Sequence, residues 1–263
     1  MNQPRLIIIG AQKAGTSWLA SQLFQHPRLH NPGMKEIHFF NKLKHGKVKA
    51  SQKYKKRIKR KCKFFSKTEL ASLVNKKHFD LEDYFYLFSK AKRDQICWEA
   101  TPNYSTMNRE KLTKMKDALP NAKYIFIVRD PIERAKSSLR MWLSRRENRF
   151  SEEQIISQWS KKRINGYKYS ESVATLDRTF DKSSILYIPF GLIKTSPHKV
   201  LSEVERFAGI NPYDHYKNPS QQVHMTKKIS LSESALSLIN DSFIGDMDYI
   251  NERFGTTFAE QIR

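Results

Sequence analysis

Two short apolar runs constrain this chain most. Arg5-Leu-Ile-Ile-Ile-Gly10 and Lys123-Tyr-Ile-Phe-Ile-Val128 are rich in β-branched and aromatic residues, and neither alternates apolar with polar. A strand of that kind must be covered on both faces, as the inner strands of a parallel sheet are. Each run feeds a helical pattern. After the first, Trp18, Leu19, Leu23 and Phe24 recur at roughly helical spacing from Thr16 to about Gln25, where His26-Pro27 stops the run. After the second, Asp130-Pro131 supplies a cap and a proline suited to the first helical position, and the helix continues through Trp142 and Leu143. Further strands are expected at 95–98 and 184–188. Further helices are expected from Asp80 to Phe88 and over 108–118, 152–163, 197–208 and 232–254. Strands separated by helices predict an α/β fold, with a central parallel sheet flanked by helices in three layers.

The 263 residues can bury a substantial core, and we read residues 1–263 as one domain carrying a basic insertion at about 42–78. Within it, 42–63 holds twelve Lys or Arg, and no acid occurs between Glu36 and Glu69. This stretch is expected to be exposed, either as a helix or as a mobile loop. Lys+Arg 48 against Asp+Glu 26 gives the chain a net charge of +22. Such a field attracts polyanions, although a generally Lys-rich surface has the same composition. Two cysteines, Cys62 and Cys97, are too few for a disulfide framework and show no metal-ligand spacing. They fit a reducing compartment. No signal-like apolar core and no run of membrane-spanning length occurs, so a cytoplasmic protein without a membrane span is expected.

Gly10-Ala-Gln-Lys-Ala-Gly15-Thr16-Ser17 lies between the first strand and its helix. Backbone amides at such a junction, aided by the helix dipole, form an anion site. Here Lys13, Thr16 and Ser17 add further donors. This is a P-loop-type arrangement, yet it departs from the nucleoside-triphosphatase pattern, which places lysine directly after the second glycine. Thr16 stands in that place, and the lysine lies at position 13. Arg129 follows the second strand directly, at the carboxyl end of the sheet, and Ser137 lies eight residues on, about two helical turns into the next element. A planar guanidinium fork and a hydroxyl suit a second phosphate. Arg-Asp-Pro alone is commonplace; its weight comes from the loop that accompanies it.

These residues carry a resemblance. Gly10-Ala-Gln-Lys13-Ala14-Gly15-Thr16-Ser17-Trp18-Leu19 resembles the 5′-phosphosulfate loop of sulfotransferases that use 3′-phosphoadenosine 5′-phosphosulfate (PAPS). Tyr124-Ile-Phe-Ile-Val-Arg129-Asp130-Pro131-Ile-Glu-Arg134-Ala-Lys-Ser137 resembles their 3′-phosphate element. The resemblance implies that Lys13 contacts the sulfate and bridging oxygen. It also implies that Ala14, Gly15, Thr16, Ser17 and Trp18 line the loop site, and that Arg129 and Ser137 hold the 3′-phosphate. Lys35-Glu36-Ile37-His38-Phe39-Phe40 is similar to a motif of the carbohydrate branch, which includes the heparan sulfate enzymes, and the match makes Glu36 the catalytic base. Trp98-Glu99-Ala100-Thr101-Pro102-Asn103-Tyr104 resembles that branch's substrate-side motif, which places Asn103 and Tyr104 at the acceptor. Here Ala100 replaces the lysine that commonly follows the glutamate. Tyr169-Ser170 through Phe190 resembles the helix–strand segment that ends this fold. His224-Met-Thr-Lys227-Lys228 falls where a basic loop closes over the nucleotide in the family.

Sulfuryl transfer needs in-line placement and stabilisation of charge on the leaving phosphate oxygen, and it requires no metal if Lys13 and the loop amides supply that charge. A hydroxyl acceptor must also lose its proton. Glu36 is the candidate base and His38 the alternative; in an extended segment the two would face the same side. Glu36 could instead neutralise Lys35, His38 could be a hydrogen-bonded packing residue, and Phe39 and Phe40 read as core. The expected donor is PAPS, with 3′-phosphoadenosine 5′-phosphate as product. The expected acceptor is an acidic glycan or a small molecule, and no nucleic-acid partner is expected. Two rivals predict different behaviour. An ATP-using kinase would need magnesium, and a polyanion-binding protein built on 42–63 would show steep salt dependence without turnover. The oligomeric state stays open.

Overall fold

The computed structural model describes residues 2–221, 223 and 229–263. In chain order the elements are β1 (Pro4–Gly10), α1 (Thr16–Leu23), β2 (Leu29–His30), β3 (Val48–Lys49), α2 (Gln52–Lys61), α3 (Lys67–Asn75), β4 (His78–Phe79), α4 (Leu81–Tyr86) and β5 (Ile96–Ala100). They continue with α5 (Arg109–Ala118), β6 (Lys123–Val128), α6 (Pro131–Ser144), α7 (Glu152–Tyr167), α8 (Tyr169–Asp177) and β7 (Ile185–Pro189). Helices α9 (Gly191–Thr195), α10 (Pro197–Ala208), α11 (Glu233–Phe254) and α12 (Thr256–Glu260) complete the described chain.

Five strands form one sheet in the order β2-β5-β1-β6-β7, and every pairing in it is parallel. The two runs that predicted inner strands are its middle: Leu6 through Ile9 and Ile125 through Val128 have no solvent exposure. The fold is therefore the α/β architecture expected, with helices covering a central parallel sheet. From β1 the chain crosses to the β2 edge, returns through β5, and then passes β1 to build β6 and β7 on the other side. The order thus reverses between β1 and β6, and α/β sheets bind ligands in the crevice at the carboxyl ends of such strands.

Local chemistry fixes the helix that borders this crevice. The Asp130 side chain accepts from the Glu133 amide, and Pro131 occupies the first helical turn of α6. Trp142 and Leu143 of α6 pack with Ile155 and Trp159 of α7 and Ile239 and Phe243 of α11, forming a cluster apart from the core around the sheet.

The basic stretch folds as helix α2, capped by Ser51, whose hydroxyl accepts from the Tyr54 amide. Tyr54 and Ile58, four residues apart and so on one face, are buried in the main core, and the Tyr54 ring meets Phe79 edge-on at 5.4 Å. Lys53, Lys56, Lys59, Arg60 and Lys61 occupy the exposed face. Antiparallel pairing of β3 with β4 (Val48 opposite Phe79) brings the two ends of this segment together.

Candidate active site

The carboxyl ends of β1, β5 and β6, three adjacent parallel strands, carry the sequence-predicted residues to one place. Glycine is required at both ends of the loop that leaves β1. A Cβ at Gly10 would lie 2.6 Å from Phe126 Cε2 and 2.8 Å from Ser105 Oγ. Gly15 has φ +86° and caps α1 in the left-handed conformation, with Ile193 Cδ1 2.8 Å from where its Cβ would be. Lys13 is itself left-handed, at φ 69°.

Two arginines hold this loop by its carbonyls. Arg134 Nε donates to Gln12 O at 3.0 Å, and its Nη1 donates to Tyr167 O at 2.9 Å. The guanidinium, only 1% exposed, lies 4.3 and 4.7 Å from the ring centres of Tyr167 and Tyr169. Arg129 Nη1 donates to Lys13 O at 2.9 Å, and its guanidinium lies 4.7 Å from the centre of the Phe190 ring. Across a trans peptide the carbonyl and the next N–H point opposite ways, so holding Gln12 O turns the Lys13 amide away from Arg134. Lys13 Nζ sits 3.9 Å from Met141 Sδ. Burial, and then the positive charges of Arg129, Arg145 and Lys35, push the Lys13 ammonium down to about 8. Several cations thus converge on one loop, as a polyanion site requires.

Ser17 and Glu36 are linked through Lys35, whose Nζ donates to Ser17 Oγ at 2.6 Å and lies 3.9 Å from Glu36 Oε1. The Glu36 amide donates to Ala100 O at 2.7 Å, which docks this segment on the end of β5. The segment 36–38 is not extended: Glu36 and His38 have φ 64° and 61°. Their side chains meet all the same, with His38 Nε2 3.5 Å from Glu36 Oε2. The Asn41 amide nitrogen donates to His38 Nδ1 at 3.2 Å, so in this arrangement the neutral ring carries its proton on Nε2, facing Glu36. The His38 contact lowers the Glu36 carboxyl below the usual range against the opposing effect of burial, and Lys35 and Arg57 add to the lowering. Glu36 is therefore ionised at neutral pH and remains partly exposed, at 37% of its side chain.

The 98–104 motif acts from below. Glu99 has no exposure and accepts from Tyr84 Oη at 2.5 Å, Thr101 Oγ1 at 2.9 Å and Tyr104 Oη at 3.1 Å. Burial raises its pKa, an effect the three hydroxyls oppose. Tyr104 Oη also accepts from the Phe39 amide at 3.1 Å. Tyr104, expected at the acceptor, is fully buried and instead supports the segment that bears Glu36 and His38. Asn103 is half-buried; its Oδ1 accepts from Gln12 Nε2 at 3.2 Å, and Gln12 Oε1 in turn accepts from Tyr167 Oη at 2.8 Å.

The other expected residues divide. Thr16 and Ser17 begin α1, where first-turn amides have no intrahelical acceptor. Ala14 is completely buried and donates its amide to Ala11 O at 3.2 Å, closing the turn. The Trp18 indole is buried too, donating to Pro219 O at 2.7 Å, so this side chain anchors the 219 region and does not line the site. Ser137, 8% exposed, lies four residues before Met141 on the α6 face that reaches Lys13. Lys227 and Lys228 lie outside the described residues.

Sequence reasoning missed Arg134, Glu99, Lys35 and Arg57 as parts of this site. Arg134 had a signal, since it falls at i and i+4 with Ser138 on the inward stripe that includes Trp142. Arg57 of α2, which donates through Nη2 to Lys35 O, had none, because the contact joins segments 22 residues apart.

Residues 4–215 match the family model described as "Sulfotransferase family", and the chain belongs to that family. A curated relative, the "Membrane-associated sulfotransferase kil1" of Dictyostelium discoideum, is 30% identical over 148 residues. That match takes in 55% of this chain and only 25% of the relative's length. Among solved structures, the sulfotransferase from Alicyclobacillus acidocaldarius superposes with a TM-score of 0.66 at 22% identity, covering 96% of each chain. The sulfotransferase domain from the curacin biosynthetic pathway gives 0.60 at 16% identity, covering 100% of this chain and 97% of that one. The corresponding domain of the Synechococcus PCC 7002 olefin synthase gives 0.55 at 18%, covering 91% and 94%. These likenesses establish the fold. No helix among the described residues is long and apolar enough to cross a membrane.

Proposed function

We propose that this sulfotransferase moves a sulfuryl group from PAPS to a hydroxyl or amine of an anionic acceptor, such as an acidic glycan. The observation that carries the donor assignment is the joining of two phosphate-binding elements at one loop, where the Arg129 guanidinium is fixed on the carbonyl of Lys13 itself. Lys13 offsets the charge that develops on the leaving phosphate oxygen, and the first-turn amides of α1 bind the 5′-phosphosulfate. Arg129 and Ser137 take the 3′-phosphate.

On the acceptor side, Glu36 receives the proton as the sulfur–oxygen bond forms, and His38 orients the carboxylate. A positioned base of this kind contributes roughly 10²–10⁴-fold. The exposed cations of α2 draw an acidic acceptor toward Glu36. Buried, unpaired Cys62 and Cys97 support a reducing, cytoplasmic setting. The reading treats 1–263 as one catalytic domain in which 42–78 is an insertion that walls the site.

Calorimetric titration with 3′-phosphoadenosine 5′-phosphate, with and without magnesium and against ATP and 5′-AMP, tests the donor assignment. Metal-independent binding that prefers the 3′-phosphate and collapses in Lys13→Ala or Arg129→Ala is expected. Binding of ATP alone, and only with magnesium, would instead mark a kinase.

A further inference from the structure

Beyond Lys13, on the side of Met141, a cavity of about 300 Å³ opens between the end of α6 and α7. Gln12 of the loop, Trp142, and the guanidinium-bearing Arg145, Arg146, Arg149 and Arg163 contribute to its lining, and no carboxylate does among the described residues. Arg146 lies 3.9 Å and Arg163 5.6 Å from the centre of the Trp142 ring. The indole is itself 5% exposed and packed in the α6–α7–α11 cluster, so it fixes both arginines from a rigid base. Arg163 Nε is buried with no hydrogen-bond partner among the described residues.

Cations after a helix carboxyl terminus also complement its dipole, which accounts for Arg145 and Arg146 without any ligand. It does not account for Arg163, which comes from the second half of α7 and lines the same cavity. Three of the four guanidinium groups come from the turn that follows α6 and one from α7; Glu147 belongs to that turn but not to the lining, and mutual repulsion among the four favours a bound anion. Arg145 is also near enough to Lys13 to add to the lowering of its ammonium, so cavity and transfer loop are neighbours.

We infer that this arginine cavity is an oxyanion subsite of the acceptor, holding a carboxylate or sulfate ester of the acceptor molecule while another of its groups meets Glu36. The inference rests on the proposed donor site and deepens it: the acceptor must carry a fixed negative charge besides the group that is sulfated. Guanidinium forks bind such oxyanions through paired, charge-assisted hydrogen bonds.

Three matched probes test this: 4-nitrophenyl β-glucoside, the corresponding glucuronide, and the glucoside 6-sulfate. Each is titrated by NMR into the full chain saturated with 3′-phosphoadenosine 5′-phosphate, at fixed salt. One or both anionic probes should bind about tenfold more tightly than the neutral one, as expected for a charge-assisted pair. Which of the two does so separates a carboxylate subsite from a sulfate subsite. The preference should vanish in Arg149→Gln/Arg163→Gln and persist in Lys182→Gln/Arg206→Gln, which removes equal charge from exposed positions at the opposite, amino-end edge of the sheet. Nucleotide affinity should stay unchanged in both variants. Equal binding of all three probes, no binding of any, or a preference that survives the cavity substitution would overturn the inference. So would a matching loss of nucleotide affinity, which would make the cavity part of the donor site. If the wild-type chain fails to take up the nucleotide, the donor assignment itself falls.

Discussion

Raising the pH from 7 to 9 should weaken nucleotide binding through a single group. Lys13 ionises at about 8, because its ammonium is partly buried and shares its surroundings with Arg129, Arg145 and Lys35. An ammonium with that value is about nine-tenths protonated at pH 7 and about one-tenth protonated at pH 9. A bound polyphosphate favours the charged form and raises the pKa, so the apparent affinity tracks the protonated fraction of the free protein. The phosphates of 3′-phosphoadenosine 5′-phosphate have their second pKa near 6 and stay fully ionised across this window. The dissociation constant should therefore rise roughly tenfold between pH 7 and pH 9, equivalent to about 1.4 kcal/mol. Calorimetry in two buffers of unlike ionisation enthalpy should also show uptake of nearly one proton at pH 9. Lys13→Arg, charged throughout, should bind with a flat pH profile and no proton uptake. A flat wild-type profile, or the same slope in Lys13→Arg, would refute the assignment of Lys13 to the anion.

Three further outcomes are expected. Arg134→Ala strands the buried carbonyls of Gln12 and Tyr167; it should cost about 3 kcal/mol, read as a fall in melting temperature of roughly 6–12 °C. Glu36→Gln should lower kcat by roughly 10²–10⁴-fold in an assay with a functional acceptor, leaving nucleotide affinity intact, whereas His38→Gln should have a smaller effect. Tyr104→Phe removes the hydroxyl between Glu99 and the Phe39 amide; it should destabilise the protein by about 1–3 kcal/mol in denaturant titration and reduce kcat while sparing the nucleotide.

The glycine-bounded loop and the Arg129 element were legible in the sequence because each is local. A buried run, a glycine-bounded loop and a helix start form one continuous stretch over 4–23, and Val128-Arg129-Asp130-Pro131 repeats the logic at β6. Two-residue strands such as β2, β3 and β4 carry no period to detect, and they emerge only from their pairing. Glu36 and His38 were legible as residues but not as geometry. Their shared face comes from two left-handed residues flanking the fully buried Ile37, and alternation along an extended strand plays no part. Tyr104 was misplaced for a comparable reason. The 3₁₀ turn Pro102–Thr106 folds it back beneath β5, within reach of a glutamate five residues earlier.

The basic stretch shows how much of the surroundings of Glu36 is built non-locally. Residues 42–78 carry none of the motifs quoted from the sequence, yet Arg57 holds the carbonyl of Lys35, the residue beside Glu36. At the other end of α2 the Lys61 carbonyl lies 2.5 Å from where a Gly33 Cβ would be, so the loop that bears Glu36 packs directly against this helix. One face of α2, through Tyr54 and Ile58, is spent on the core, and the opposite face keeps its cations in water. The same helix thus fixes the position of the carboxylate and charges the approach to it. The arginine cavity lies on the α6 side of Lys13, and Glu36 with α2 lies on the β5 side. An acceptor that engages both must be long enough, and anionic enough, to cross the mouth of the loop between them.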